Sequence, residues 1–270
     1  MSMKPEDRPA GTPPISMQAP MQVVAYTASV PKAGTRALAV EAAVNLVYGS
    51  VPHAVMMATP ADLDDFAYGF SLTEGIVESA DEIRATRVEV GSDGLRLHVE
   101  LAPGRLREHL ARKRAISGRT GCGVCGIEDL SDLPRAEMRD APDVRVALPA
   151  IARALQGLDA GQVLGAETRA VHAAAWARLD GSLVAVREDV GRHNAFDKLI
   201  GAMRRGSLDW DGGFALLSSR CSFELVEKAV LADCPLLVTL SAATTLALDR
   251  AAAAGLSLRT LVRGDAMLAS

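Results

Sequence analysis

Four cysteines occur in the 270 residues, and only two of them, in Cys122-Gly-Val-Cys125, stand close together. Two thiols at this spacing can ligate zinc, cycle as a redox disulfide, or carry a transferable sulfur. Structural zinc takes four ligands and no second pair supplies the rest. Only the distant His172 or His193 could complete such a site, so no permanent metal is expected. Cys221 and Cys234 sit among Phe223, Leu225 and Leu236 and read as buried, inert thiols. Ahead of the close pair, residues 105–119 hold Arg105, Arg107, Arg112, Lys113, Arg114 and Arg119 against one acid, Glu108. By itself such a run is an ordinary solvated helix face. Beside a thiol it favours the thiolate, the form that accepts or delivers sulfur, and it draws in anions. Gly118, Gly121, Gly123 and Gly126 leave room around the sulfurs, so residues 104–126 read as a flexible, exposed segment bearing the thiols.

A second polar concentration lies at Arg187-Glu-Asp-Val-Gly-Arg-His193-Asn194, with Asp197 close behind. Charged groups this dense order a ligand or one another. Gly191 permits close backbone approach, and Asn194 is placed to cap a helix. His172 sits in the apolar run Val171–Trp176 and reads as a satisfied core histidine.

Periodicity and turn residues predict the elements that hold these groups. Ala37–Val55 reads as two strands around Tyr48-Gly-Ser-Val-Pro52. Thr59-Pro-Ala-Asp62 offers an N-cap at Thr59 and a proline suited to the first helical position. The helix it starts buries Leu63, Phe66, Ala67 and Phe70 and stops near Gly75. Arg87–Val90 and Leu95–Leu101 alternate around Asp93-Gly94, a hairpin with Leu95, Leu97, Val99 and Leu101 on its dry face. Beyond Asp140-Ala-Pro-Asp143 a helix begins near Pro149, and a second hairpin spans Val171–Leu179 and Leu183–Val186. Helices from about Asn194, Ser222 and Thr244 then alternate with strands Phe214–Leu217, Leu236–Leu240 and Leu258–Val262.

That alternation predicts an α/β fold whose last strands run parallel, with their carboxyl ends on one edge. Ligands bind at such edges. Just past the strand ends stand Arg187–His193, Ser218-Ser219-Arg220, Ser241–Thr244 and Arg263-Gly264-Asp265. Several lie at helix starts, whose free N–H groups attract phosphate. A phosphate-bearing ligand is expected there, with Arg192, His193, Asn194, Ser219 and Arg220 in the site.

Bulk properties narrow the class further. Apolar residues make up 49% of the chain and aromatics 4%, so the core is built from Ala, Val and Leu, as suits helices laid on a sheet. A formal net charge of −4 speaks against a general nucleic-acid binder. The longest apolar stretches, such as Val230–Leu240, are broken by Asp233 and Pro235 and are too short to cross a bilayer. Pro5, Pro9, Pro13, Pro14 and Pro20 mark residues 1–20 as a disordered tail rather than a signal peptide, which implies a cytoplasmic location. The expected organisation is that tail, an N-terminal α+β part over residues 21–140 carrying the thiols, and an α/β core over residues 141–270.

Four motifs run in order along the chain: Gly69-Phe-Ser-Leu-Thr-Glu-Gly-Ile76, Gly118-Arg-Thr-Gly-Cys122-Gly-Val-Cys125-Gly126, Arg187-Glu-Asp-Val-Gly-Arg-His-Asn-Ala-Phe-Asp-Lys198 and Ser222-Phe-Glu-Leu-Val-Glu-Lys228. Together they resemble the formate dehydrogenase accessory sulfurtransferase family. The resemblance implies a cytidine-deaminase-like three-layer α/β core and a cytoplasmic homodimer that takes sulfur from a cysteine desulfurase. It also implies that the sulfur is delivered to bis-molybdopterin guanine dinucleotide, the molybdenum cofactor of formate dehydrogenase, bound here as a substrate. Guanine nucleotides should bind as analogues. The persulfide-bearing cysteine falls on Cys122 and its pair member on Cys125, and the cofactor-contacting segment falls on Leu261, Val262, Arg263, Gly264, Asp265 and Ala266. Two departures bear on those contacts: Thr168-Arg-Ala-Val-His172 replaces a Gly-Gly pair before the histidine, and Met267-Leu-Ala-Ser270 replaces an aromatic-Asn tail.

A zinc nucleoside deaminase needs a glutamate two residues after its ligand histidine and a Pro-Cys-x-x-Cys segment downstream. Here Ala174 holds the glutamate position, Gly121 that of the proline, and the thiols precede the histidine. That reaction is excluded. A thiol-disulfide oxidoreductase and a nucleotide-cofactor chaperone without sulfur transfer stand as the alternatives to a sulfurtransferase.

Overall fold

The computed structural model describes residues 8–23, 32–115, 136–137, 146–262 and 266–269. An antiparallel ribbon opens it, β1 (Ser16–Val23) against β2 (Lys32–Ala39). The disordered tail expected over residues 1–20 therefore overlaps a strand. Pro20 is tolerated in it because both strands of a two-stranded ribbon are edges.

Strands β3 (Ala42–Tyr48) and β4 (Val51–Ala58) follow as expected, joined at Gly49 (φ 53) and Ser50 (φ 68). Positive φ at both turn positions matches the twist of a tight hairpin. Helix α1 (Leu63–Thr73) comes next, then a hairpin of β5 (Ile83–Gly91) and β6 (Gly94–Leu101) around Asp93-Gly94. The four strands pair in the order β4-β3-β6-β5, with β3 parallel to β6. Leu95, Leu97, Val99 and Leu101 bury against Leu63, Phe66, Ala67 and Phe70 of α1, as the alternation predicts.

The helix start differs from expectation. Asp62, not Thr59, is the N-cap, in left-handed conformation and without a side-chain cap, because Thr59 is engaged elsewhere, as described below. Residues 104–115 of the segment expected to be flexible over 104–126 are helical instead, in α2 (Pro103–Ala115). Its apolar anchor is concealed among charges. Leu106 packs against the Gly49 turn, and the third residue on, His109, is buried with its ring 5.0 Å from that of Tyr48 and 5.1 Å from that of His53. Cys122, Cys125 and the expected division between residues 140 and 141 lie outside the described residues.

The C-terminal part begins with α3 (Leu148–Gly161), Pro149 in its first turn, and an unanticipated short helix α4 (Val163–Thr168). Then come β7 (His172–Ala177), β8 (Leu183–Asp189), α5 (Arg192–Arg205), β9 (Phe214–Leu217), α6 (Phe223–Leu231), β10 (Leu236–Thr239), α7 (Thr245–Ala254), β11 (Ser257–Thr260) and a two-residue β12 (Leu268–Ala269). The sheet order is β12-β11-β10-β9-β7-β8, with β9, β10 and β11 parallel and β7 antiparallel to both neighbours. Residues of α3 cover one face, while α5, α6 and α7 cover the other. This is the expected three-layer α/β core.

Helix α1 of the N-terminal part packs on α5 of the core at two glycines. A Cβ on Gly69 would fall 1.7 Å from the Asp197 carbonyl oxygen, and one on Gly201 would fall 1.8 Å from that of Asp65. No side chain fits at either position. Among the described residues no helix is long and apolar enough to cross a membrane.

Candidate functional site

The parallel strands β9, β10 and β11 end on one edge. Because β7 runs against β9, its first residue, His172, reaches the same edge beside Asp189 at the end of β8. The loop after β9 is pinned to β7: the Ala173 N–H donates to Ser218 Oγ at 2.8 Å, and the Ser218 N–H to the Ala173 carbonyl at 2.9 Å. Ser219 is buried, its hydroxyl donating to the Arg220 carbonyl at 3.0 Å, while Arg220 is exposed. Backbone bonds from Cys221 N–H to the Ala242 carbonyl and from Thr244 N–H to the Cys221 carbonyl join this loop to the one after β10. Thr244 caps α7 by accepting from the Ala247 N–H, as its residue type predicts. After β11, the Leu261 N–H donates to the Ser241 carbonyl and the Val262 N–H to the Thr239 carbonyl, with Leu261 in left-handed conformation (φ 52). Ala266 is exposed. Arg263, Gly264 and Asp265 lie outside the described residues.

The polar run Arg187–Lys198 divides in two. Most of it orders itself. Arg187 Nε donates to Asp65 Oδ2 at 2.8 Å, and Glu188 accepts from the Leu164 and Gly165 N–H groups at the start of α4. Asp189 and Lys198 form an ion pair with both side chains fully buried. Thr59 closes the set. Its N–H donates to Asp189 Oδ2, its carbonyl accepts from Lys198 Nζ, and its hydroxyl accepts from the Val190 N–H. This is why Thr59 does not cap α1. Gly191, rather than Asn194, is the N-cap of α5. Asn194 lies within the first turn, where its amide donates to the Met57 carbonyl at 2.8 Å and to Asp189 Oδ1 at 3.1 Å. The side chain thereby holds the corner on which Arg192 and His193 stand.

Those two residues remain at the edge itself. His193 Nε2 is 3.5 Å from Ser222 Oγ and 3.9 Å from Glu224 Oε2. Burial, then the positive charges of Arg192 and Lys228, lower its pKa to about 4 against the opposing pull of Glu224. His172 is lowered too, by burial and Arg192. Both rings are therefore neutral near pH 7. Arg192 Nε is buried without a hydrogen-bond partner among the described residues. An orphaned donor on a cation costs free energy unless an acceptor completes it. The edge thus combines Arg192, Arg220, neutral imidazoles and the N-termini of α5, α6 and α7, a set suited to a phosphate-bearing ligand. Among the described residues, no group of three or more metal-ligating side chains comes together.

Sequence reasoning assigned no role to Glu224, nor to the buried group formed by Lys228, Asp197, Thr73 and Glu74. Lys228 Nζ lies 2.8 Å from Thr73 Oγ1, 2.9 Å from Asp197 Oδ1 and 3.2 Å from Glu74 Oε1. Its sequence signal is a charge standing on the apolar stripe of each of two helices, α5 and α6. A cleft of about 450 Å³ lies at the far end of α5, lined by Asp62, Asp65, Arg187 and Arg205. Asp65 is paired with both arginines, and nothing in that cleft calls for a ligand.

Fold and edge together define a three-layer α/β protein with arginines and helix N-termini gathered at the carboxyl ends of its parallel strands. Comparison with known proteins places it more closely. The sequence profile of the FdhD/NarQ family matches residues 39–269, and the chain belongs to that family. It is 48% identical over 221 residues to the sulfur carrier protein FdhD of Xanthomonas euvesicatoria pv. vesicatoria (strain 85-10), covering 82% of this chain and 79% of the relative. The sulfur carrier protein FdhD of Variovorax paradoxus (strain S110) is 44% identical over 245 residues, 87% of this chain and 88% of its own. A crystal structure from Desulfotalea psychrophila, provisionally described as a formate dehydrogenase accessory protein, has the same fold. It superposes with a TM-score of 0.73 at 20% identity, over 95% of this chain and 96% of its own.

Proposed function

We propose that this protein accepts persulfide sulfur on Cys122 from a cysteine desulfurase and hands it to bis-molybdopterin guanine dinucleotide held at the strand-end edge, so that formate dehydrogenase becomes active. It works in the cytoplasm as a homodimer, with Cys125 as the second member of the thiol pair. In the loading step the Cys122 thiolate attacks the outer sulfur of the donor persulfide. A new sulfur–sulfur bond forms on Cys122, the donor's breaks, and the donor cysteine leaves as its thiolate. The run Arg105–Arg119 favours the attacking thiolate. Cofactor phosphates are held by Arg192, Arg220, the helix N-termini and the segment Leu261–Ala266, while Asn194 and Ser219 shape the loops. The names of the relatives support sulfur carriage. The observation that supports the cofactor half is the buried Arg192 Nε, without a partner among the described residues, at an edge where three helices begin.

The two halves are separable. Cys122→Ala should still bind guanosine diphosphate in a calorimetric titration, yet fail to activate formate dehydrogenase in cells lacking the natural protein. Activation by Cys122→Ala would make the thiol dispensable and leave a cofactor-holding chaperone.

A further inference from the structure

Glu227 belongs to the motif Ser222–Lys228, and the strand-end edge gives it no task. It stands in α6 with its side chain 5% exposed, paired with Arg250 of α7, whose side chain is 10% exposed. Arg250 Nε donates to Glu227 Oε1, and its Nη2 donates to Oε2 at 3.3 Å. Each partner also binds the main chain of Ala136. The Ala136 N–H donates to Glu227 Oε2 at 2.8 Å, and its carbonyl accepts from Arg250 Nη2. The Ala136 side chain packs against the apolar cluster under α5, α6 and α7. Ala136 itself belongs to no helix or strand. A pair that merely joined two helices would not need it, and apolar side chains would join them as well. Here a carboxylate and a guanidinium take both main-chain polar groups of one residue, as a neighbouring strand would, and hold the chain at that point whatever side chain it carries.

We propose that the Glu227–Arg250 pair is a positioning device for sulfur delivery, fixing the chain fourteen residues after Cys122 beside the edge where the cofactor is held. The assignment rests on the sulfur-carrier reading given above. Glu227 is five residues past Ser222, the N-cap of α6, so the clamp lies ~8 Å along that helix from the edge. At the other end, Leu106 and His109 tie α2 to the Gly49 turn, Tyr48 and His53, and α2 closes at Ala115, seven residues before Cys122. Cys122 and Cys125 thus belong to a span of chain anchored on the N-terminal part at one end and on the core at the other. Chain geometry confines Cys122 to within about 25 Å of Ala115 and about 50 Å of Ala136. With the clamp open, the next described anchor is Val146, 24 residues from Cys122, and the second bound grows to about 85 Å. Loading is a meeting of two molecules and is indifferent to this tether. Delivery to a cofactor held on the same molecule is not, because its rate follows the local concentration that the tether imposes.

Glu227→Met with Arg250→Leu replaces the pair by apolar side chains that keep α6 on α7 but cannot hold a peptide group. Two quantities are read on the full chain. One is sulfur on Cys122, by peptide mass after incubation with a cysteine desulfurase and cysteine. The other is activation of formate dehydrogenase in an extract of cells lacking the natural protein, expressed per loaded Cys122. The double variant should load as the wild type does and activate more slowly per loaded thiol, by about 2-fold from tether length alone and by up to about 100-fold where the sulfur is also misplaced. Arg250→Lys leaves Glu227 paired and keeps one donor for Ala136, so it should show a smaller loss in the same quantity. Activation per loaded thiol equal to that of the wild type in the double variant overturns the assignment, as does a fall in loading that accounts for the whole loss, or an Arg250→Lys chain no better than the double variant. If the wild-type chain takes up no sulfur on Cys122, the sulfur-carrier reading itself fails, a different and distinguishable result.

Discussion

A thiol attacks only as its thiolate, and burial decides which cysteines can become one. Cys221 and Cys234 are buried, and burial pushes each thiol up to about 12, so neither carries sulfur at neutral pH. His193 shows the converse effect. Its native pKa of about 4 lies below the roughly 6.5 of an unfolded histidine. Between those values the unfolded chain binds a proton that the native chain does not, so stability rises with pH across the window. The contribution is complete above pH 6.5 and is lost as pH falls toward 4. It amounts to ~3 kcal/mol at most, with His172 acting in the same direction. Urea melts at pH 7 and pH 5 should show the loss, and His193→Gln should shrink the difference between them. A difference between pH 7 and pH 5 left unchanged by His193→Gln would contradict a neutral, half-buried His193. At this scale the sequence was partly legible. The strand-end positions of Arg192 and Arg220 follow from topology. Glu224 does not stand out, because an acid in a helix's first turn is ordinary.

Among the elements, the α1–α5 contact carries the strongest constraint. The motif Gly69–Ile76 reads as part of an amphipathic helix, and the pattern alone cannot say that Gly69 meets a backbone carbonyl. Gly69→Ala places a methyl 1.7 Å from that carbonyl, an overlap relieved only by moving two helices apart. The substitution should cost about 3 kcal/mol, read as a lowered urea midpoint. An unchanged midpoint would show that the helices separate freely. The hairpins and the parallel strands were legible because alternation and Asp-Gly turns are local signals. The elements that were missed had weak local signals. Helix α4 has six residues and β12 has two, β1 carries a proline, and α2 hides a buried histidine where an apolar residue is normally sought.

At the scale of the molecule, buried charges link the N-terminal part to the core. Lys228 of α6 joins Asp197 of α5 to Thr73 and Glu74 of α1, while Thr59 binds Asp189 and Lys198 below the Arg192 corner. Buried pairs of this kind add little stability over apolar packing, but removing one partner is expensive. Their effect is to fix one arrangement in which α5 and α6 begin at the site. Four motifs scattered over the chain therefore serve two tasks. Three of them fix α1, α5 and α6 against one another, and the fourth contains the two thiols. The claim that joins those tasks is that Cys122 carries sulfur, and it can be measured directly. The protein is incubated with a cysteine desulfurase and cysteine, digested without reductant, and its four cysteines are read by peptide mass. The account predicts one added sulfur atom on Cys122 and none on Cys221 or Cys234. No added sulfur on Cys122, or a Cys122–Cys125 disulfide in its place, would contradict it.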